Sequence, residues 1–107
     1  MKALDKSLHL QRLYDFYGVL LTDKQRMYFE QYYFDDYSIT ELSENNEVSR
    51  NAVFDQLKRV ESKLEEYELK LKLVEKDNQR NETLETLKNS TKDAVILQLI
   101  DKLTEIE

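Results

Sequence analysis

The chain has 107 residues, of which 36% are charged and 40% hydrophobic, and a formal net charge of −6. Its single glycine and its lack of proline favour a small helical protein. Its lack of cysteine excludes disulfides, thiolate zinc sites and cysteine nucleophiles. No apolar run approaches the ~18 residues of a membrane-spanning helix, so no membrane insertion is expected. The opening residues lack the apolar stretch of a signal peptide, which predicts a cytoplasmic location.

The first third of the chain predicts two helices. Apolar residues at helical spacing place helix one at about Leu4 to Val19. Gly18 lies near the end of this helix, where a left-handed conformation would cost glycine nothing. Thr22 and Gln25 form a capping box that begins helix two, at about Asp23 to Phe34.

Aromatic residues are concentrated in these two helices. Nine of the eleven lie between Tyr14 and Tyr37. Rings of this kind can stack on nucleobases, but in a small helical domain they more often fill the core, because each buries a large apolar area. Core packing is therefore the favoured interpretation, and some tyrosines can keep the hydroxyl at the surface.

Residues 38–60 have the pattern of a helix-turn-helix. Ser38 and Glu41 form a second capping box, which begins a short helix three that turns Ile39 and Leu42 inward. After a polar turn, Ser49 is the predicted N-cap of helix four. The alternative is a plain pair of packed helices. The two caps, the short turn and the polar residues that open the second helix favour the helix-turn-helix.

The second helix of such a motif lies in the major groove of DNA, and its first residues reach the base edges. The candidate nucleic-acid-binding residues are Ser49, Arg50, Asn51, Phe54, Asp55, Lys58 and Arg59. Arginine can bind guanine and asparagine can bind adenine through paired hydrogen bonds. Ser49 and the helix N-terminus suit a phosphate, and Lys58, Arg59 and Lys63 can reach the backbone.

The charge distribution opposes strong binding to phosphates. The net charge is −1 over residues 1–37, −1 over residues 38–60 and −4 over residues 61–107. No segment is basic overall, so binding would depend on a few placed side chains and would be modest and sensitive to salt.

A heptad-like row of apolar residues continues beyond the motif. It predicts a helix from Ser49 to about Lys76, ~42 Å long at ~1.5 Å per residue. A compact domain of this size has a radius of gyration of only ~13 Å, so the far half of the helix should need another cover. This divides the chain into a helix-turn-helix domain over residues 1–64 and a helical arm with a final helix over residues 65–107.

Two covers for the arm are possible. A bend at the polar residues 77–81 would let the final helix, at about Thr91 to Ile106, fold back as a hairpin. The other is a second copy of the chain, which predicts a homodimer. The candidate seam residues are Val60, Leu64, Tyr67, Leu71 and Val74.

Residues for catalysis are missing from the sequence. The single histidine, His9, lies among apolar residues of helix one and is expected to be half-buried or at the surface rather than a base. No glycine-rich phosphate loop or metal-ligand spacing occurs. The sequence therefore predicts no enzyme, no cofactor and no metal site.

Several segments between residues 8 and 74 share a pattern with known proteins. They are Tyr14 to Tyr17, Leu20 to Arg26, Tyr32, Tyr33, Asp36 to Ser38, Glu41, Leu42, Val48 to Val53, Leu57 to Arg59 and Leu64 to Leu71. These segments resemble the promoter-reading helix-turn-helix of bacterial sigma factors, and more closely the YlxM-like family of small helix-turn-helix proteins.

The resemblance implies an all-α fold: a winged-helix-like or sigma-region-type domain of three to four helices, followed by a long arm and a final helix. It also implies a regulatory or accessory protein of the signal recognition particle pathway, without catalytic residues. Its target would be DNA or RNA, or, as the alternative, the targeting GTPases. The motif's spacing expects alanine, an apolar residue and glycine or asparagine where Ser43, Asn46 and Glu47 stand, which predicts a looser or shifted turn.

Overall fold

The computed structural model describes residues 3–106, a range that contains six α-helices and no strand. The helices are α1 (Ala3–Tyr17), α2 (Asp23–Tyr33), α3 (Ile39–Asn46), α4 (Arg50–Leu71), α5 (Leu73–Asn89) and α6 (Ala94–Glu105). The all-α prediction is confirmed, in the wholly helical form rather than the winged one. Met1, Lys2 and Glu107 lie outside the described residues. The outer ends of the two predicted domains therefore lie outside them too, as do the first residues of the opening stretch, which was predicted not to be a signal peptide.

The predicted caps set the helix boundaries in the first half of the chain. The Thr22 and Ser38 side chains each accept a hydrogen bond from the backbone N–H three residues later, and both capping boxes are complete. The Ser49 Oγ accepts from the N–H of Ala52, 3.0 Å away. Because each cap satisfies N–H groups that a helix start leaves unpaired, it marks where the helix begins.

Gly18 does not use the left-handed conformation that its position allows. A 3-10 turn, Gly18–Leu20, follows α1, and Gly18 has no positive φ. A Cβ atom at this position would lie 3.0 Å from the ring of Tyr14, so a larger residue would require the ring to move. The absence of a Cβ atom therefore serves the close approach of the ring and not backbone freedom.

The helix-turn-helix has its own small core. Tyr28 from α2, Leu42 from α3, and Val53 and Leu57 from α4 are buried together, with Ile39 and other half-buried residues packed against them. Both α2 and α3 contact α4, so the second helix of the motif is held from two sides. The predicted inward positions of Ile39 and Leu42 are confirmed.

The aromatic residues fill a second part of this core, as predicted for most of them. Tyr17, Tyr28 and Phe29 are almost fully buried. The rings of Tyr14 and Phe29 stack with centroids 4.5 Å apart, and that of Tyr33 lies 4.4 Å from Phe29. The contact between Tyr14 and Phe29 joins α1 to α2.

Helix α1 packs along α4 beyond the motif. Lys6 and His9 approach Glu61 and Glu65 at 3.6 and 2.9 Å, and the Tyr17 hydroxyl donates to Glu68. The ring of Tyr67 lies 5.9 Å from that of Tyr17. The expectation that this part of the helix lies beyond reach of the domain is therefore wrong for Tyr67, because α1 runs alongside it.

The predicted helix from Ser49 to Lys76 is wrong at its C-terminal end. Helix α4 ends at Leu71, and Lys72 adopts a left-handed conformation with φ 55°. Residues 77–81, where a bend was predicted, lie within α5. The chain divides into two compact units after Lys72, not after residue 64, because residues 65–71 continue α4.

The predicted dimer seam is not one continuous face. Val60 and Leu64 are completely buried within the first unit, and Tyr67 is half-buried there. Leu71 is 44% exposed at the end of α4, and Val74 lies in α5, beyond the break. A helix packed on its own domain shows the same heptad-like spacing as a coiled coil, so the pattern did not distinguish the two.

The second unit begins at Leu73 and consists of α5 and α6 packed together. Val74 and Ile100 are its buried residues, and Lys88 pairs with Asp101 at 3.8 Å. The Asp93 carboxylate caps α6 by accepting from the N–H groups of Val95 and Ile96. One apolar set on α6 and at its C-cap remains exposed: Val95, Ile96, Leu99, Leu103 and the C-cap residue Ile106.

Candidate nucleic-acid interface

The turn between α3 and α4 lies where the motif's spacing places it, and the predicted looser or shifted turn is wrong. Glu47 is left-handed, with φ 53° and ψ 43°. The N–H of Val48 donates to the carbonyl of Ser43 at 3.1 Å, and that of Glu47 donates to Glu44 at 3.3 Å. These are the two hydrogen bonds of a Schellman motif, whose left-handed residue is usually glycine. Here a glutamate occupies it.

The other two unexpected residues of the turn are accommodated by local hydrogen bonds. Ser43 is buried, and its hydroxyl donates to the carbonyl of Thr40 at 3.2 Å. The half-buried Asn46 donates its amide N–H to the carbonyl of Leu42 at 2.8 Å. A buried polar group is costly only when it has no partner, so both replacements keep the turn in its usual shape.

The start of α4 presents a polar face beside a buried one. Arg50, Asn51 and Asp55 are exposed, while Val53 and Leu57 are buried in the core. The helix is thus anchored by one side and open on the other, as the motif requires for insertion into a nucleic-acid groove.

Phe54 connects two depressions on this open side. It is 48% exposed, and the ammonium group of Lys58 lies 5.3 Å from the centroid of its ring. With Arg50, Asn51 and Ile39, Phe54 lines a small depression at the beginning of α4. We call Arg50, Asn51, Phe54 and Lys58 the reading face. Asp55 and Arg59 are exposed one position further round the helix.

A larger groove adjoins the reading face and was not predicted from the sequence. We call it the tyrosine groove, after Tyr32, Tyr33 and Tyr37, which line it together with Phe54 and Lys58. Its volume is about 560 Å³. The concentration of aromatics between Tyr14 and Tyr37 was the available signal, but only packing shows which rings reach this surface.

The tyrosine groove also carries charged groups. Lys6 from α1 and Glu61 from α4 line it, 3.6 Å apart, as does Asp36. Burial, and secondarily the charge of Glu61, raise the pKa of Tyr33 well above its ordinary value of 10.0. The Tyr33 hydroxyl therefore stays protonated throughout the physiological range and can donate a hydrogen bond.

His9, which was considered as a catalytic base, lies outside the reading face and does not line the tyrosine groove. His9 is half-buried, as predicted, and contacts Glu65. Within residues 3–106 no group of three or more histidine, aspartate and glutamate side chains is arranged to hold a metal ion. Among the helices described, none is both long and apolar enough to cross a bilayer.

An all-helical domain in which a tight turn leads into an anchored helix with an open polar start is a helix-turn-helix protein. The comparison with known families agrees. The chain belongs to the YlxM/p13-like helix-turn-helix family, which matches it over residues 4–105. The family's description is of a helix-turn-helix protein and names no reaction.

Relatives in several bacteria match nearly the whole chain. The UPF0122 protein OB1530 of Oceanobacillus iheyensis is 49% identical, over 97% of this chain and 99% of the relative. The UPF0122 protein BH2485 of Halalkalibacterium halodurans is 46% identical over the same shares. The UPF0122 protein YlxM of Bacillus subtilis is 42% identical, over 98% of this chain and 99% of the relative.

Proposed function

We propose that the protein binds DNA or RNA through the reading face and acts as an accessory or regulatory protein in the cytoplasm. The observation that carries this proposal is the position of α4: its core side is fixed by Val53 and Leu57, while its capped N-terminal end exposes Arg50 and Asn51. We further propose that this role belongs to the signal recognition particle pathway, which is what the resemblance to the YlxM-like family implies.

The interface contains few cations, and this limits how it can bind. Arg50, Lys58 and Arg59 are the basic residues among the candidate positions, and the chain as a whole carries −6. Each phosphate neutralised contributes a slope of about −0.9 to log K against log salt for duplex DNA. Three contacts predict a slope of about −2 to −3. Most of the affinity and any sequence preference would then come from contacts with the bases.

Titration of labelled DNA and RNA with the Arg50→Ala and Lys58→Ala variants tests the proposal. Loss of one base contact corresponds to ~1–3 kcal/mol, or about 5- to 150-fold in Kd. Lys24→Ala is the matched control, because Lys24 is an exposed lysine of α2 outside the reading face. If Arg50→Ala and Lys58→Ala bind like the parent chain, or if Lys24→Ala is equally weakened, the reading face is not the binding site.

The exposed apolar set on α6 favours a second candidate function, a protein-interaction module. Val95, Leu99 and Ile106 are each more than half exposed, and an apolar helix face of this kind commonly contacts another protein. The occupants considered are the targeting GTPases and, for the predicted homodimer, a second copy of the chain.

Leu99→Glu with Leu103→Glu separates these occupants. Both leucines are exposed in the monomer, so the double variant should keep its fold. Loss of a GTPase pull-down without a change in sedimenting mass supports the interaction module, and a fall from dimeric to monomeric mass supports self-association. If neither measurement differs from that of the parent chain, α6 has neither role.

A further inference from the structure

The tyrosine groove is built from groups suited to an uncharged aromatic ligand. Tyr32, Tyr33 and Tyr37 are half-buried, and the rings of Tyr32 and Tyr33 meet nearly at right angles, 82°, with centroids 5.0 Å apart. Phe54 adds a fourth ring from α4. Aromatic rings attract the flat face of a nucleobase whatever its identity, because every base has a π-face.

The charges of the tyrosine groove are balanced. Two lysines, Lys6 and Lys58, line it together with two acids, Asp36 and Glu61. A phosphate alone would gain little from such a surface. A base gains stacking on the rings and can donate its amino N–H to a carboxylate, while the lysines lie near the phosphates on either side.

Continuity with the reading face identifies how a strand would enter. Phe54 lines both the tyrosine groove and the small depression formed with Arg50 and Asn51. One nucleotide can therefore contact Arg50 and Asn51 while its neighbour crosses Phe54 into the groove. Bases within an uninterrupted duplex cannot do this, since both faces of each are covered by the adjacent base pairs.

We propose that the tyrosine groove accommodates an unpaired nucleobase, so that the ligand of the reading face is single-stranded or looped nucleic acid rather than continuous duplex. This inference rests on the proposed function and names its ligand class. The net charge of −6 agrees with it, because stacking supplies affinity that does not depend on neutralising phosphates.

The test compares two labelled RNAs with the same stem, one closed by an unpaired loop and one fully paired, and repeats the comparison with single-stranded and duplex DNA. Fluorescence anisotropy at low salt gives each Kd. The looped RNA should bind at least about fivefold more tightly than the paired one, which is the lower bound for one stacked base. Phe54→Leu should weaken its binding by about 5- to 150-fold, which corresponds to the loss of one stacked base.

Phe34→Leu is the matched control. Phe34 is 45% exposed, close to the 48% of Phe54, and does not line the tyrosine groove. Its variant should bind the looped RNA like the parent chain, and thermal melting monitors the fold of both variants. If single-stranded DNA binds like looped RNA, the requirement is an unpaired base in either nucleic acid, which supports the proposal.

Two outcomes would overturn this inference and leave the proposed function intact. One is equal affinity for looped and paired forms. The other is an unaffected Phe54→Leu variant while Arg50→Ala loses binding, which keeps the part of the reading face formed by Arg50 and Asn51 and removes the groove. In that second case, weaker capture of a protein partner by Phe54→Leu would make the groove a peptide site. Absence of binding to every nucleic acid would remove both this inference and the proposed function.

Discussion

Replacing Glu47 with glycine should stabilise the helix-turn-helix. The left-handed conformation that Glu47 adopts costs an L-residue roughly 1–2 kcal/mol, and glycine avoids this cost. Glycine also gains freedom in the unfolded chain, which offsets about 0.5–1 kcal/mol. In high salt, where the charge of Glu47 is screened, the net expectation is an increase of about 0.5–1 kcal/mol in the free energy of unfolding. For a chain of this size that is a rise of roughly 2–6 °C in melting temperature.

The control is Glu47→Ala, which separates the backbone from the charge. Glu47 follows the last turn of α3, where the helix dipole disfavours an anion by ~0.3–1 kcal/mol at low salt. Alanine removes this repulsion but keeps the left-handed strain, so its gain should disappear in high salt. Glycine should remain more stable than alanine at every salt concentration. Urea unfolding at two salt concentrations measures both differences.

A glycine variant no more stable than the alanine variant would refute the argument from the left-handed turn. It would mean that the turn relaxes to another conformation when the side chain allows it. Either outcome also bears on the interface, because the turn sets the direction in which α4 leaves α3.

Three further predictions concern the packing described above. Leu64→Glu should unfold the first unit or greatly lower its urea midpoint, because the side chain is fully buried, whereas Leu71→Glu at an exposed position should change it little; equal effects would contradict the assigned burial. Ser38→Ala should cost ~1 kcal/mol by removing the cap of α3, and an unchanged midpoint would show that the capping box contributes nothing. Burial and the charge of Glu61 raise the pKa of Tyr33, so the stability that the protonated Tyr33 hydroxyl gives to the folded chain is complete below pH 10 and declines above it. Tyr33→Phe should therefore lose less stability between pH 8 and 10.5 than the parent chain does, and identical losses would count against the burial of Tyr33.

The sequence predicted the helices wherever their starts depend on local contacts. Thr22, Ser38 and Ser49 form caps within a few residues of themselves, so their positions needed no knowledge of the tertiary structure. The end of α4 could not be found in this way. Lys72 is left-handed, but lysine is not a residue type that indicates this conformation, and the row of apolar residues continues across it.

The candidate site was accessible to sequence reasoning only in part. Arg50, Asn51 and Lys58 were identified because the motif fixes which end of α4 is open. The tyrosine groove depends on packing between residues far apart in sequence, such as Lys6 and Glu61. No local sequence pattern indicates that these two residues are in contact. The same limitation made Val60 and Leu64 candidates for a seam between two copies when they belong to the core.

The packing of α1 against α4 limits the length of the open polar side of α4. Phe54, Lys58, Glu61 and Glu65 follow one another on the same side of α4, at spacings of three and four residues. Lys6 and His9 of α1 contact Glu61 and Glu65, so the open part of this side of α4 ends near Lys58. From Arg50 to Lys58 the helix rises ~12 Å at ~1.5 Å per residue. At the ~3.4 Å rise per nucleotide of a stacked strand, this length would match about three to four nucleotides of the proposed ligand.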